Sequence, residues 1–211
     1  MNKESKKAQI IDISWDLLQK EGIDGFSMRK LSAASNTTIS SLYHYYKNKE
    51  SIFQAMVDKA LAEVVFPVNA NGVDDKLKQY AYNILSTLKK YPNLEWLLLV
   101  YPPTQVNYTK LLDNLLMIVD GLDIKREQKL YYINIFINFI LTFQIDHQIQ
   151  IDHQIQIDDQ AKNNRHNESS WNHSIAPYLN YYYKNNIIEK LSEEEVFDFG
   201  ISLLINGLKT K

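Results

Sequence analysis

The sequence predicts an all-α protein. Three observations lead there: apolar residues recur at helical spacing, capping residues stand at the ends of those stretches, and no alternating strand series with hairpin turns runs through the 211 residues. Only 6 Gly and 5 Pro interrupt the chain. Apolar residues are 45% and charged residues 23%, the proportions of a globular protein. Cysteine is absent, which excludes disulfides, thiolate catalysis and Cys-ligated zinc.

Taken in order, Ile10, Ile13, Ser14, Trp15, Leu17 and Leu18 form the stripe of a first helix over residues 5–21, closed by Gly22. Ser27 caps a short second helix, 28–34, with Leu31 and Ala34 inward. A turn follows at Ser35, Asn36 and Thr37, where Asn tolerates the left-handed conformation such a turn needs. The third helix is 39–45, and Asn48 caps a fourth that begins at Lys49 and carries Ile52, Met56, Ala60 and Val64 on one side. Leu77, Ala81, Ile84, Leu85 and Leu88 mark a fifth. Further on, Thr104 and Asp123 are the expected N-caps and Gly121 an expected C-cap. Helix 125–144 is nearly apolar all round, as a helix between two subunits or beside a pocket should be. Its Asn134, Asn138 and Thr142 form a polar stripe, suited either to a ligand or to an interface or core bond. Ser192 and Glu195 make a capping box ahead of helix 196–208, whose Phe197, Gly200, Ile201, Leu204 and Leu208 read as a dimer contact.

One stretch breaks the pattern. Residues 144–157 repeat the unit QIDHQI in tandem. The reading is a helix end extended into an exposed loop. A strand would gather the Ile residues on one face with His147 and His153, and a metal cluster of Asp146, His147, Asp152 and His153 is the sharper alternative. That cluster lacks the i,i+4 His spacing a helix would need. The polar DDQAKNNRHNESS that follows reads as a mobile segment. The expected organisation is therefore a head at 1–48 and a larger helical body at 49–211, with 144–172 as repeat and polar loop.

The start of the chain mixes charges into its apolar residues, unlike a signal peptide. No run of about 18 apolar residues predicts a membrane span. A cytoplasmic protein is the expectation. Net charge is −2 overall, divided as +2 over residues 1–50 and −4 over the rest.

The informative piece is GIDGFSMRKLSAASNTTISSLYHYYKNKESIF, from Gly22 to Phe53. Two short helices joined by a tight turn make a helix-turn-helix, whose second member enters the DNA major groove. Small residues at the start of that member let its backbone approach base edges, and hydroxyls and helix N-terminal amides suit phosphates. Arg29, Lys30, Lys47 and Lys49 would neutralise the phosphate backbone.

Met-Arg-Lys-Leu at 28–31, Ser-Leu-Tyr at 41–43 and Lys-Asn-Lys at 47–49 resemble, at matching spacing, the DNA-binding head of the TetR family of transcription regulators. The family's usual Gly in the turn is Asn36 here, and the apolar residue after it is Thr37. The body, with YPNLEWLLLVYPPTQVNYTKLLDNLLMIVDGL, helix 125–144 and FDFGISLLINGLK, is similar to the tetracycline-repressor type of C-terminal domain. The resemblance implies a transcription regulator, more readily a repressor, and not an enzyme. It implies a homodimer through helices 125–144 and 196–208, and a ligand pocket in each body that controls the spacing of the heads. Operator DNA and a small effector are the implied partners; no cofactor, metal or membrane is.

By that similarity Thr38, Ile39, Ser40, Ser41, Tyr43 and His44 lie at the DNA, with Ser27, Met28 and Arg29 from the preceding helix and Lys47 and Lys49 on phosphates. Ile39, Ser40 and Ser41 are the expected base readers. Tyr43 and Tyr45 can also be read as packing of the small core. The four positions at which tetracycline-binding members place polar groups around the drug and its Mg²⁺ correspond here to Leu98, Gln144, Val65 and Tyr80. Leu cannot ligate a hard cation and Gln brings no charge to balance one, so no Mg-tetracycline recognition is expected. The remaining lining would be Val65, Tyr80, Ile84, Leu98, Tyr101, Ile135 and Phe139, with Asn114, Asn138 and Gln144 as polar handles, suited to a mostly apolar molecule. Two rival readings stand beside this one. An enzyme finds no carboxylate cluster, phosphate loop or nucleophile motif to support it. A helical interaction protein that keeps the fold without specific DNA binding is the alternative.

Overall fold

A computed structural model describes residues 3–101, 104–161, 177–185, 187 and 190–209. Among them the regular structure is helical, with no strand. In order these are α1 (Lys3–Gly25), α2 (Met28–Ala34), α3 (Ile39–Tyr45), α4 (Lys49–Leu61), α5 (Gly72–Lys90), α6 (Leu94–Val100), α7 (Val106–Val119), α8 (Arg126–Ala161), α9 (Pro177–Lys184) and α10 (Glu193–Gly207). Met1–Gln144 forms one compact unit and Ile145–Lys211 another, so α8 belongs to both.

In the first unit, α1 packs on α2 and α4, and α2 on α3. Ile10, Leu18, Leu31, Leu42, Ile52, Phe53 and Met56 have no exposed surface at all. Each such burial contributes on the order of 1.5–3 kcal/mol against the chain entropy of ordering the helices. Helix α4 also packs on α6 and α7, and α5 on α7, so the head and the body's first helices share one contiguous core. The stripe Leu77, Ala81, Ile84, Leu85 and Leu88 is buried throughout, as its spacing requires.

Helix boundaries follow the local chemistry with instructive exceptions. The first helix runs on past residue 21, but Gly22 sits in it with φ 68° and ψ 177°, a kink that only glycine accommodates easily. Ser27 accepts from Lys30 N and Asn48 from Ser51 N, as N-caps do. Ser192 and Glu195 close the expected capping box on α10. Thr104 is not the cap of α7. That helix starts one residue later with Gln105 as N-cap, and Gln105 turns its side chain to Gln54 instead. The orphan amide of Asn107 is taken from a distance, by the Asp58 carboxylate of α4 at 2.9 Å. Asp123 does not cap α8 either; the helix begins at Arg126, and the Gln128 side chain accepts from Lys125 N at 3.0 Å.

Helix α8 corrects the reading of the repeat. Its backbone stays helical to Ala161, so the QIDHQI units continue the helix rather than leaving it for a loop or strand. Repeating capable helix formers such as Gln and Ile without Pro or Gly gives the backbone no reason to stop. His147 Nε2 lies 3.1 Å from Glu193 of α10, both in the second unit. No group of His, Asp and Glu fit to hold a metal occurs among the described residues, and the side chains of Asp152 and His153 lie outside them. So do residues 162–176, which hold most of the polar segment. No described helix is long and apolar enough to cross a membrane.

Candidate nucleic-acid interface

The turn between α2 and α3 is built by hydrogen bonds rather than by a glycine. Asn36 takes φ 46°, and its N–H reaches Ala33 O at 3.2 Å while Thr37 N–H reaches Ser32 O at 3.0 Å. The hydroxyl of Ser32 donates to Thr37 O, and that of Thr37 to Ser35 O at 3.0 Å. Each of these satisfies a carbonyl that a tight turn would otherwise strand. Asn in the left-handed region costs far less than a β-branched residue would, so the missing glycine leaves the turn intact.

Helix α3 is fixed at both ends and along one side. Thr38 Oγ1 accepts from Ser41 N at 3.1 Å, and Leu42 is completely buried. Beyond its last turn, the Tyr46 hydroxyl donates to Lys7 O at 3.4 Å, tying α3 to the start of α1. Burial and the nearby Glu4 carboxylate push that phenol up to about 12, so it remains a donor across the physiological range. With Leu42 turned in, Ile39 (43% exposed), Ser40, Tyr43 (50%) and His44 are exposed, Thr38 is exposed at the N-cap, and Ser41 is half-buried. Tyr43 therefore leaves the small core, and Tyr45 stays half-buried. From α2, Arg29 is exposed while Ser27 and Met28 are half-buried.

The lysines divide. Lys47 is exposed. Lys30 pairs with Glu21, whose carboxyl is held below its usual range by that ammonium. Lys49, expected on phosphate, is turned inward: its ammonium donates to Ile23 O at 2.6 Å and lies over the rings of Phe53 (5.1 Å) and Phe26 (5.7 Å). Desolvation there lowers its pKa, with Asp24 opposing. Its role is to staple the end of α1 to α4, because the α1 kink at Gly22 brings a carbonyl within reach. Sequence reasoning missed this staple, the Tyr46 tie and the Asp58 cap. All three join residues 26 to 49 positions apart, which leave no trace in local spacing.

In the body, the structure joins some expected ligand residues and separates others. Asn114 Nδ2 donates to the hydroxyl of the buried Tyr80 at 3.2 Å, and Ile84, Leu98 and Gln144 are buried. Burial raises the Tyr80 pKa, and the bond from Asn114 offsets part of that. Phe139 is half-buried. Val65 and Ile135, at 67% and 55% exposure, and Asn138 point to solvent. On α8 the inward turn positions belong to Phe136, Ile137, Ile140 and Leu141, which places Ile135 and Asn138 on the opposite side. Tyr101 packs edge-on against Phe53, 5.2 Å away, which stacks on Phe26. A cleft of about 490 Å³ between α7 and the start of α8, lined by Asp113, Leu116, Met117, Asp120, Arg126, Lys129 and Leu130, contains none of the expected residues.

Comparison with known proteins agrees with both halves. Residues 10–56 match the family model of bacterial regulatory proteins of the tetR family, and residues 66–211 that of the tetracyclin repressor-like C-terminal domain. An HTH-type transcriptional repressor of Mycobacterium tuberculosis is 30% identical over 94 residues, 43% of this chain and 36% of its own length. An uncharacterized HTH-type regulator of Xanthobacter autotrophicus is 29% identical over 59 residues, 28% of this chain and 29% of its own. The matched stretch thus spans about a third of those relatives. In fold, the chain is similar to the Streptomyces coelicolor TetR family protein ActR in complex with (S)-DNPA (TM-score 0.76, 19% identity, 96% of each chain). BioQ of Mycobacterium smegmatis is similar as well (TM-score 0.72, 16% identity, 96% of each). With a helix-turn-helix head and a matching body over most of its length, the chain belongs to the TetR family of transcription regulators.

Proposed function

We propose that this chain is a cytoplasmic repressor that works as a homodimer on a pseudo-palindromic operator. Each head, residues 1–48, lays α3 in one of two successive major grooves about a helical turn apart. The observation that carries this reading is the rigid presentation of Ile39, Ser40, Tyr43 and His44 on a helix held by its cap, by Leu42 and by the Tyr46 tie. Ile39, Ser40 and Ser41 read bases, Ile39 by apolar contact. Thr38, Tyr43, His44, Ser27, Met28, Arg29 and Lys47 position the backbone.

Two apolar stripes support the dimer. Helix α8 exposes Leu130, Tyr131 and Ile135 beside Asn134, Asn138 and Thr142; on α10 the Phe197 and Ile201 expected at the interface are buried within the chain, and Val196, Phe199 and Leu203 are the exposed ones. Exposed faces of this kind mark interaction surfaces. In the body, residues 49–211, Tyr80, Ile84, Leu98, Asn114, Phe139 and Gln144 receive a small effector. An effector that binds the DNA-incompetent state better lowers operator affinity by that difference. ActR, of the same fold, is a ligand-binding member of this family in its complex with (S)-DNPA.

A mobility-shift titration with DNA from upstream of the protein's own gene, at two salt concentrations, tests the reading. A sequence-specific shift that weakens steeply with salt is expected. Equal affinity for unrelated DNA would overturn it, and no shift even at low salt would favour a helical interaction protein.

A further inference from the structure

Two charged side chains are buried among the described residues of the body, Glu95 and Lys129. Lys129 is provided for: its ammonium donates to Asp120 O and lies 3.7 Å from the Asp120 carboxylate. Glu95 is not. It is 2% exposed in α6, makes no ion pair with any described residue, and its Oε2 has no hydrogen-bond partner among them. Its neighbours along the helix are Leu94, Leu97 and Leu98, all buried.

A carboxyl in such surroundings costs several kcal/mol unless a donor meets it, and a leucine there would burden folding less. A lone water would need two to four polar partners, which the flanking leucines do not supply. What fits is a group that brings its own N–H donors on an apolar body. Leu98, one turn on from Glu95, is among the residues assigned above to the effector. A second orphan acceptor, Gln144 Oε1, is buried in the same unit and also calls for a donor.

We propose that Glu95 is the anchor of the effector site, and that the effector is an aromatic or aliphatic molecule carrying an ammonium or amidinium group. This rests on the reading of the body as an effector domain. Burial already raises the Glu95 pKa, with the backbone amides of Asn93 and Glu95 opposing, so the carboxyl is biased toward its neutral form and an arriving cation ionises it.

Calorimetric titration of the full chain with 1-naphthylmethylammonium, and separately with its neutral counterpart 1-naphthalenemethanol, tests the assignment. The wild type should bind the ammonium at least about tenfold tighter than the alcohol. Glu95→Gln should bring the two within about twofold, and Glu95→Asp, which keeps the charge, should retain the preference. Equal affinity for both compounds, a preference that survives in Glu95→Gln, or no binding of the ammonium would overturn the proposal. No DNA enters this measurement, so its failure leaves the operator reading standing, and a failed mobility shift leaves a positive titration standing.

Discussion

Single side chains in this protein take their meaning from where their polar atoms end. Lys47 and Lys49 stand two positions apart, yet one is exposed and the other is spent on Ile23 O and two aromatic rings. Lys47→Gln should therefore lower the salt dependence of operator binding by about one unit of slope while leaving the melting temperature unchanged. Lys49→Gln should do the reverse, lowering the melting temperature and leaving the slope alone; a slope change of one unit for Lys49→Gln would return it to the phosphate. At Glu95 the sign of a pH effect follows from burial. Its folded pKa is raised, so the folded state holds the proton more tightly than the unfolded state. Stability from this group is present below the ordinary carboxylate range and is lost as pH rises through the folded pKa. Melting curves from pH 4 upward should show the wild type losing ground to Glu95→Gln, and parallel curves would show that the carboxyl is already compensated. The exposure of Ile39 and Ser40 was legible from the sequence because solvent exposure on a short helix follows its period. Lys49 was not, because its partner carbonyl depends on a kink 27 residues earlier.

At the scale of elements, caps and kinks set where helices begin and how the chain enters them. Gly22 adopts φ 68° and ψ 177°, a region essentially closed to residues with a Cβ, although nothing lies within 4 Å of where that Cβ would stand. Gly22→Ala should thus cost about 1–3 kcal/mol through backbone strain alone, measurable by urea denaturation. Thr38→Ala removes the N-cap of α3 and should cost about 1 kcal/mol. Thr38→Ser should recover most of it, because either hydroxyl accepts from Ser41 N. Caps made by the next residue in line were visible in the sequence, as at Ser27, Asn48 and Ser192. The cap of α7 was not, because Asp58 supplies it from another helix 49 residues away. The repeat misled because its polar Gln, Asp and His residues read as a helix end running out into an exposed loop, but nothing in it breaks a helix, and α8 continued.

For the molecule as a whole, the exposed stripes of α8 and α10 predict association. Light scattering should give about twice the chain mass of 24.7 kDa, and Tyr131→Glu with Phe199→Glu should halve it and abolish operator binding, since paired half-sites need both heads. A dimer that survives both charges would remove those stripes from the interface.

The sequence by itself determined the all-α class, the order of the early helices, the helix-turn-helix and the family, because each rests on local periodicity, on capping at adjacent positions, or on a motif within about 45 residues. Only the tertiary structure decided which lysine is available to DNA, that Ile135, Asn138 and Val65 face outward, that Tyr101 packs on Phe53 of α4, and that Glu95 Oε2 is left without a hydrogen-bond partner among the described residues. Those outcomes depend on which helix lies against which, and packing between residues far apart in the chain is chosen by the shape and satisfaction of the whole core, not by any single segment.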